Sequence, residues 1–499
     1  MKIGYLTVPS GKLGDQPNQY GLNVVANAAV SAGFSPEQID RKSDISSYDV
    51  IMVGLYWWEH LINLVKFFGA SGLLAKNTKR PVVIVGGQNA ALNPLPISPI
   101  IDYAVAVDGE AVIGDLLLAI GRGDREPDLP GVWWPGRGSP SDAVSADRLV
   151  YFPHVQFSGR MTTDGEDKLR SVTPVSFVEI GRGCPHHCRF CALSSIKPYR
   201  ELPFSEVARA VRRSRTKQMR VFAPERSAHR HFVEIEKYVR DQNRINVSVD
   251  IRLESIHKLS QVGNVQFGIE GLSGRLRHAV GKKLNREDLA SSISAIWKTP
   301  TYHKPNHMNA DTYLIGGLPG EAPSDYEEFA DDLNAINGRV DPGFALKMTI
   351  NWFIPQPFTP LQFAPVDPWA PWRKDAWFNV CHGKNRNRFQ FKIKQMQSLV
   401  NPTKWLTALA VTRGDETHWP LIRAMALDKA AGRIIRKNQD HEFLRLCERA
   451  GLSEDWLVGE LPTDGALPWE GVWSHPRAEP GYTRRQWARY KEVMSGYQK

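Results

Sequence analysis

Cysteine is scarce in this sequence, with five of 499 residues. Since three of the five fall on one short stretch, the chain lacks the cysteine framework that cross-links small secreted proteins. Apolar runs of about 18 residues or more are also missing, so the pattern predicts no transmembrane helix. The first residues, Met1–Val8, have the composition of a strand and lack the apolar stretch of a signal peptide. We therefore expect a cytoplasmic protein without membrane contact.

The rest of the composition is that of an ordinary globular protein, and the length predicts about three domains. The net charge of +10 is unevenly distributed: residues 371–499 contain 22 Lys and Arg against 14 Asp and Glu. Eight of the 15 tryptophans lie in the same segment. Basic residues interleaved with aromatic residues are typical of a nucleic-acid surface. The pattern also fits a solvated basic face over a Trp-rich helical core, and both interpretations stay open.

Residues 1–125 alternate short apolar runs with helical stretches, which predicts a doubly wound, Rossmann-like α/β domain with a parallel sheet. The predicted strands are Lys2–Val8, Val50–Leu55, Val82–Val85 and Asp102–Val107, and the helices are Gly21–Ala32 and Ala111–Ile120. Gly86 and Gly87 follow a strand at the edge where open α/β sheets bind ligands. Residues 126–170 are rich in Gly, Pro, Asp and Ser and predict a linker with a short strand at Leu149–Phe152.

Residues 171–366 show a strand followed by a helix again and again, which predicts a partial (β/α)6 barrel of the TIM type. The predicted strands are Ser176–Ile180, Arg220–Phe222, Ile245–Ile251, Val265–Ile269, Met308–Ile315 and Ala345–Phe353. The predicted helices are Ser205–Arg213, His231–Gln242, Ser255–Val262, Arg286–Trp297 and Ser324–Ile336. Residues 367–499 predict a mainly helical C-terminal domain, with helices at Phe389–Val400, Pro402–Ala410, Pro420–Ala431 and His441–Ala450.

Cys184, Cys188 and Cys191 have a Cys-x3-Cys-x2-Cys spacing directly after the first predicted barrel strand. The loop therefore lies at the carboxyl end of the strands, where barrels carry their chemistry. Three thiolates can hold three irons of a cubane iron–sulfur cluster and leave the fourth iron open. A Cys3His zinc site that uses His186 or His187 is the alternative. The other cysteines, Cys381 and Cys447, stand far apart in the sequence.

The cysteine spacing, with Phe190 just before the last cysteine, resembles that of the radical S-adenosylmethionine (SAM) superfamily. The resemblance implies a [4Fe-4S] cluster on Cys184, Cys188 and Cys191, and SAM bound through its amino and carboxylate groups to the open iron. It also implies reductive cleavage of SAM to a 5′-deoxyadenosyl radical, which abstracts hydrogen from an unactivated carbon. A one-electron reductant such as flavodoxin or ferredoxin would then be a partner.

The same resemblance implies a set of SAM contacts, to which Phe190 belongs. Glu225 resembles the glutamate that accepts from the SAM amino group, although Ala223 and Pro224 replace the two glycines usual before it. Glu270 and Lys282 match in spacing the residues that meet the ribose hydroxyls and the SAM carboxylate. The remaining predicted contacts, on the adenine side, are backbone groups of Gly316 and Gly317.

The order of the N-terminal elements resembles the cobalamin-binding domain that precedes the SAM domain in many of these enzymes. The segment 351–362, which contains three prolines, resembles a signature of the B12-binding-domain-containing type. Such domains commonly supply an axial histidine from the loop after the first strand, but Pro9–Tyr20 contains none. Before His154 the chain has one histidine, His60. Two interpretations therefore stay open: cobalamin binds without a protein ligand, with Tyr56, Trp57 and Trp58 covering one face, or the domain is a relic that no longer binds it.

If cobalamin binds, the resemblance implies methyl transfer to carbon or phosphorus. Without cobalamin, the expected enzyme is a radical SAM enzyme that modifies RNA or DNA held by the basic tail, or a peptide. A third hypothesis, from another class, is a nucleic-acid-binding protein whose metal site is structural. Asp250 and Arg252 end the third predicted barrel strand, and either residue could face the cavity.

Overall fold

The computed structural model describes most of the chain. The described residues are 1–8, 20–39, 44–74, 80–106, 108–147, 149, 154–158, 173–246, 249–260, 265–300, 309–340, 345–367, 389–391, 402–427, 448, 451, 453–475 and 477–496.

The N-terminal part is a doubly wound α/β domain, as predicted. Its sheet has the order β2-β1-β3-β4-β5-β6 and is parallel except for the last strand. Helices pack on both faces, because the central strands are apolar on both sides. The elements are β1 (Ile3–Thr7), α1 (Tyr20–Ser31), β2 (Glu37–Gln38), β3 (Val50–Gly54), α2 (Trp58–Ala70), β4 (Val82–Gly86), α3 (Gln88–Leu92), β5 (Tyr103–Val105), α4 (Ile113–Gly121) and β6 (Val132–Trp133).

Glycines end two of the central strands of this sheet. Gly54 closes β3 and Gly86 closes β4, and a Cβ on Gly86 would have no atom nearer than 3.8 Å. Gly87 has a φ of +95°, and a Cβ there would lie 2.7 Å from the Leu55 carbonyl oxygen. Gly87 is therefore needed for the turn into α3, whereas Gly54 and Gly86 leave open space above the sheet edge.

The barrel is a partial one, as predicted, and it consists of two sheets. The first has the order β13-β12-β9-β8 and the second the order β14-β15-β16-β17-β18. The third predicted strand is divided between them, because β13 pairs with β12 while β14 pairs with β15. The strands are β8 (His154–Ser158), β9 (Thr173–Glu179), β12 (Gln218–Phe222), β13 (Ile245–Asn246), β14 (Val249–Asp250), β15 (Val265–Glu270), β16 (Asn309–Gly316), β17 (Ala345–Trp352) and β18 (Phe389–Phe391).

Helices cover the outside of the barrel because alternate strand residues are apolar. In β12, Met219 and Val221 are buried against the helices, whereas Arg220 and Phe222 face the interior. Asn285 caps the N-terminus of the helix Arg286–Lys298 through a capping box with Asp288. These helices are α6 (Phe204–Arg213), α7 (Phe232–Asp241), α8 (Gly274–Ala279), α9 (Arg286–Lys298) and α10 (Pro323–Asn337).

The segment expected as a linker adds short strands elsewhere. β6 joins the N-terminal sheet, and β7 (Ser141–Asp142) pairs with β19 (Trp473–Ser474) near the end of the chain. A hairpin of β10 (Gly181–Arg182) and β11 (Arg200–Glu201) encloses the cysteine loop, with the one-turn helix α5 (Leu193–Ile196) inside it. The domain boundaries at residues 125, 170 and 366 stay predictions.

The C-terminal helices pack across both preceding parts. They are α11 (Pro402–Arg413), α12 (Trp419–Leu427), α13 (Glu454–Val458) and α14 (Pro480–Gly496). α11 and α12 contact α2, whereas α14 packs on α8 and on the turn Pro360–Phe363. Arg413 is fully buried and donates to the carbonyls of Leu457, Gly459, Gln362 and Ala364. The C-terminal segment thus holds the proline-rich loop of the barrel in place.

Several sequence expectations for individual elements were wrong. Phe389–Phe391, expected to begin a helix, is a strand paired with β17, since the open sheet edge supplies ladder partners that helical periodicity cannot reveal. Leu253–Lys258 is a 3-10 helix and not the start of an α-helix at Ser255. Of the strand expected at Leu149–Phe152, only Leu149 is described, and residues 150–152 lie outside the described residues. Residues 428–447, and with them most of the helix expected at His441–Ala450, lie outside the described residues.

Within the described part of the chain, no helix is both long and apolar enough to cross a membrane.

Candidate active site at the cysteine loop

The cysteine loop follows β9 at the carboxyl end of the barrel strands, where the sequence predicted it. The β10–β11 hairpin fixes its two ends. Gly183 has a φ of +73°, and a Cβ there would lie 2.4 Å from the Pro198 carbonyl oxygen, so a glycine is required before Cys184. A turn closes the middle of the loop, where the Cys191 N–H donates to the Cys188 carbonyl at 3.1 Å.

The three thiols are close enough to influence one another electrostatically. Burial raises the pKa of Cys184 to about 11 and that of Cys191 to about 12, and Cys188 adds to both shifts. Thiols with such pKa values are protonated at neutral pH, so metal binding must release protons. Among the described residues, no three His, Cys, Asp or Glu side chains converge on the position of a single metal ion.

A guanidinium contacts the sulfur of the middle cysteine. Arg252 Nη1 donates to Cys188 Sγ at 3.5 Å, and its Nη2 pairs with Glu254 at 2.6 Å. The sequence placed Arg252 at the end of the third strand, but it did not indicate this contact. Arg182 and Arg189, which lie nearer to the cysteines in sequence, are engaged elsewhere. Arg182 binds carboxylates, and Arg189 donates to the Ala279 carbonyl.

Because Arg252 places a positive charge beside Cys188, a predicted cluster ligand, Arg252→Gln is expected to lower the reduction potential of the reconstituted cluster by tens of millivolts. The reduced cluster carries one more negative charge than the oxidised cluster. Removing the positive charge of Arg252 therefore destabilises the reduced form. An EPR-monitored redox titration measures the potential, with Arg209→Gln on the surface of α6 as the control. An unchanged potential in Arg252→Gln would remove Arg252 from this role.

Glu270 and Lys282, predicted to contact SAM, lie together against the cysteine loop. Lys282 Nζ is 3.1 Å from Glu270 Oε1 and donates to the Gly268 carbonyl at 2.8 Å. Glu270 has a φ of +69° at a bulge in β15, which turns its side chain toward Lys282. Burial opposes the charge of Lys282, but Glu270 and Cys188 outweigh burial and raise its pKa. Lys282 therefore stays positively charged.

Two backbone contacts fix this segment against the cysteine loop. The Arg189 N–H donates to the Val280 carbonyl at 3.0 Å, and a Cβ on Gly281 would lie 3.3 Å from the His187 carbonyl oxygen. The proline-rich segment contributes a third contact, since the Leu361 N–H donates to the Arg189 carbonyl at 3.1 Å. Three segments far apart in sequence thus meet at the cysteines.

Glu225 is buried after β12 and influences the Cys184 thiol electrostatically. Its Oε1 accepts hydrogen bonds from the backbone N–H and the hydroxyl of Ser227, so the carboxylate begins the short 3-10 helix Arg226–Ala228. The side chain thus lies after the second barrel strand and close to the cysteine loop, as the resemblance implies. Its role in SAM binding stays a prediction.

The remaining predicted SAM contacts have partners within the protein. The Gly316 carbonyl accepts from the Phe353 N–H at 2.9 Å, and the Gly317 N–H donates to Glu321 Oε2 at 3.0 Å. Burial raises the pKa of Glu321 to about 7. Phe190 is half-buried and packs against the main hydrophobic core. The structure thus places these residues at the same end of the barrel, and their contact with SAM stays a prediction.

A cavity of about 440 Å³ lies between the N-terminal sheet and the barrel. One side is the carboxyl edge of the N-terminal sheet, with Gly54 and Gly86. The other side is the carboxyl end of the barrel strands, with Glu179, Phe222 and Asp250. Both halves therefore turn their ligand-binding edges toward one space.

An ion network joins the two halves beside this cavity. Arg182 pairs with Asp108 at 2.8 Å, with Glu110 at 2.5 Å and with Glu179 at 2.8 Å. Arg200 pairs with the second oxygen of Asp108 at 2.6 Å. Burial alone would raise the pKa of Asp108, but the neighbouring cations outweigh it and lower that pKa. No local pattern indicates this network, because Arg182 is 74 positions from Asp108 and 72 from Glu110.

His60 lines the cavity but is not placed to bind a metal. Its Nδ1 accepts from the Tyr56 N–H at 3.1 Å, so Nε2 carries the hydrogen in the neutral ring. Burial lowers the pKa of His60 to about 4, which keeps the ring neutral. Tyr56 and Trp57 also line the cavity, and Trp57 is well exposed.

Two parts of the chain match known protein families. Residues 178–333 match the Radical SAM superfamily, and residues 28–127 match the family described as Radical SAM proteins, N-terminal. An uncharacterized protein of Methanocaldococcus jannaschii, MJ0966, is 22% identical over 343 residues, which cover 66% of this chain and 71% of that protein.

Solved structures have a similar fold. The radical SAM methyltransferase TsrM from Kitasatospora setae, with cobalamin and a [4Fe-4S] cluster bound, matches with a TM-score of 0.51 and 15% identity. The match covers 74% of this chain and 77% of that one. The cobalamin-dependent SAM radical enzyme OxsB matches with a TM-score of 0.47 and 11% identity, over 99% of this chain and 79% of that one. The chain therefore carries a radical SAM domain at residues 178–333, preceded by a segment that matches the N-terminal family of radical SAM proteins.

Proposed function

We propose that this protein is a cobalamin-dependent radical SAM methyltransferase. The observation that carries the proposal is the cavity of about 440 Å³ between the N-terminal sheet and the barrel. The cavity is lined on one side by the edge that binds cofactors in doubly wound domains. Its other side is the face of the barrel that carries the cysteines. The similarity in fold to TsrM supports the same function.

The residues at the sheet edge suit a large, flat cofactor. A Cβ on Gly54 or Gly86 would meet nothing closer than 3.7 Å, so a ligand can lie directly against the backbone. Most of the surrounding wall is apolar, including Met52, Ile84 and Val105. Because Nε2 of His60 carries the hydrogen, His60 would contact such a cofactor without acting as a metal ligand.

The cysteine loop and its neighbours supply the other half of the site. A [4Fe-4S] cluster on Cys184, Cys188 and Cys191 would supply the electron that cleaves SAM, and cobalamin would supply the methyl group. We propose that Lys282 pairs with the SAM carboxylate and that Glu270 accepts from the ribose hydroxyls. In the same proposal, the remaining contacts come from Glu225, Phe190, Gly316 and Gly317. A one-electron reductant such as flavodoxin or ferredoxin is the proposed protein partner.

Contacts on two sides of the site would help to shield the reaction from water. The Asp108–Arg182 pair holds the N-terminal domain against the barrel, and the pair is largely buried. α14 closes the opposite side, where the Tyr490 hydroxyl donates to the Pro319 carbonyl at 2.8 Å. Reactive species need such exclusion of solvent. Much of the basic tail lies outside the described residues, so a nucleic-acid substrate has no structural support here.

Gly86→Val tests the proposal, since its side chain would project into the cavity at the sheet edge. A Cβ at this position meets no atom within 3.7 Å, so we expect the fold and the cluster to be kept. We expect cobalamin binding, followed by corrin absorption after gel filtration, to fall by at least about tenfold because the flat ligand is lifted off the backbone. Gly138→Val is the control, since no atom lies within 4 Å of a Cβ there.

Wild-type protein that acquires an iron–sulfur cluster and cleaves SAM, yet binds no cobalamin, would contradict the proposed cofactor. Equal cobalamin binding by Gly86→Val and the control would instead place the corrin elsewhere.

A further inference from the structure

The interior of the half-barrel carries charged side chains below the level of the cysteine loop. Parallel pairing sets Asp250 of β14 beside Gln266 of β15, and Gln266 beside Asp311 of β16. Arg220 of β12 faces the same interior, one layer deeper than Phe222 at the end of its strand. Interior positions of a barrel are normally filled by packed apolar side chains. Charges in this position need a partner or a ligand.

Arg220 and Asp250 form a loose pair at the inner end of the cavity. Their nearest atoms, Arg220 Nη2 and Asp250 Oδ2, are 3.6 Å apart, which is too long for a good hydrogen bond. The two side chains keep 40% and 36% of their surface exposed, and both line the cavity. The guanidinium and the carboxylate therefore remain able to bind further groups. Close by, the Tyr313 hydroxyl donates to Gln266 Oε1 at 3.2 Å.

Resting on the function proposed above, we propose that Arg220 and Asp250 bind the charged head of an amino-acid substrate, with its carboxylate on Arg220 and its ammonium on Asp250. A ligand with a single charge would pair with one member and leave the other without an opposite charge at the inner end of the cavity. A zwitterion pairs with both members at once. Arginine also matches the planar geometry of a carboxylate.

The rest of the cavity wall indicates which kind of side chain the amino acid would have. Phe222 lies above Arg220. The centroid of its ring is 5.1 Å from that of Tyr20 and 6.0 Å from that of Phe177. Leu193 and Ala223 continue the apolar wall toward the cysteine loop. An amino acid held by its head at the inner end would therefore point an apolar side chain toward the layer where the reaction takes place.

Isothermal titration of the anaerobically reconstituted protein with L-phenylalanine, L-leucine and L-tryptophan tests the inference. The matched single-charge probes are 2-phenylethylamine and 3-phenylpropionate. At least one amino acid is expected to bind about tenfold or more tightly than either single-charge probe. Arg220→Met and Asp250→Asn are each expected to weaken amino-acid binding by about tenfold or more. Arg209→Met, on the outer surface of α6, is the control.

The comparison of the three kinds of ligand needs wild-type protein alone, so it stands even if a variant fails to fold. Binding of the amine or the acid as tightly as the amino acids would overturn the inference, as would no binding by any of the amino acids. The proposed function fails differently, through absent cobalamin binding. The inference can therefore fail while cobalamin binding and SAM cleavage remain intact.

Discussion

Cys188→Ala is expected to abolish the iron–sulfur cluster and with it all reductive cleavage of SAM. Two thiolates hold a cubane cluster too weakly to survive purification, and Cys188 is the middle ligand of a loop fixed by its neighbours. Arg252 would also lose the sulfur that it contacts. Iron and sulfide analysis and the visible absorption of the reconstituted protein measure the cluster, and chromatography of 5′-deoxyadenosine measures the cleavage.

Cys447→Ala is the matched control, because it removes a cysteine that stands outside the loop. We expect it to retain its iron and its activity. If Cys188→Ala kept a full complement of iron and sulfide, the assignment of the three loop cysteines as cluster ligands would be wrong.

Lys282→Met is expected to weaken SAM binding by about tenfold to a hundredfold while the cluster is retained. Lys282 is buried beside the cysteine loop and keeps its charge through Glu270 and Cys188. It is thus positioned to pair with a carboxylate that approaches the open iron. Equilibrium binding of SAM to the reconstituted variant measures the loss, and the iron content shows whether the site is otherwise intact.

The neighbouring residue provides the control for this experiment. Lys283 has the same side chain and is exposed, so Lys283→Met should bind SAM as the wild type does. SAM affinity that is equal in the two variants would show that Lys282 serves only to hold Glu270 and the Gly268 carbonyl.

Local patterns predicted the framework of the molecule. The apolar runs around Val50 and Val82 and the repeated strands of the barrel have the expected type and order, because each is strongly periodic or fully buried. Gly86 and the cysteine loop could be placed at carboxyl strand ends for the same reason. The pairing of Glu270 with Lys282 was implied only indirectly, by a spacing that brings both side chains to one ligand.

What the sequence did not reveal depends on contacts between distant segments. Phe389–Phe391 is a strand because β17 offers it a free edge, and its own composition does not show this. Arg252 contacts Cys188 across 64 positions, and Arg182 meets Asp108 across 74. No local signal distinguishes such arginines from the many on the surface. The cavity beside the Arg182–Asp108 pair therefore became visible only in three dimensions.

The central claim is that three cysteines hold a cluster whose open iron binds SAM. Anaerobic reconstitution with iron and sulfide, followed by EPR of the reduced protein with and without SAM, tests it most directly. The account predicts roughly four irons and four sulfides per chain and a cluster signal that SAM changes. A protein that retains zinc without sulfide, or a cluster signal that is indifferent to SAM, would contradict it.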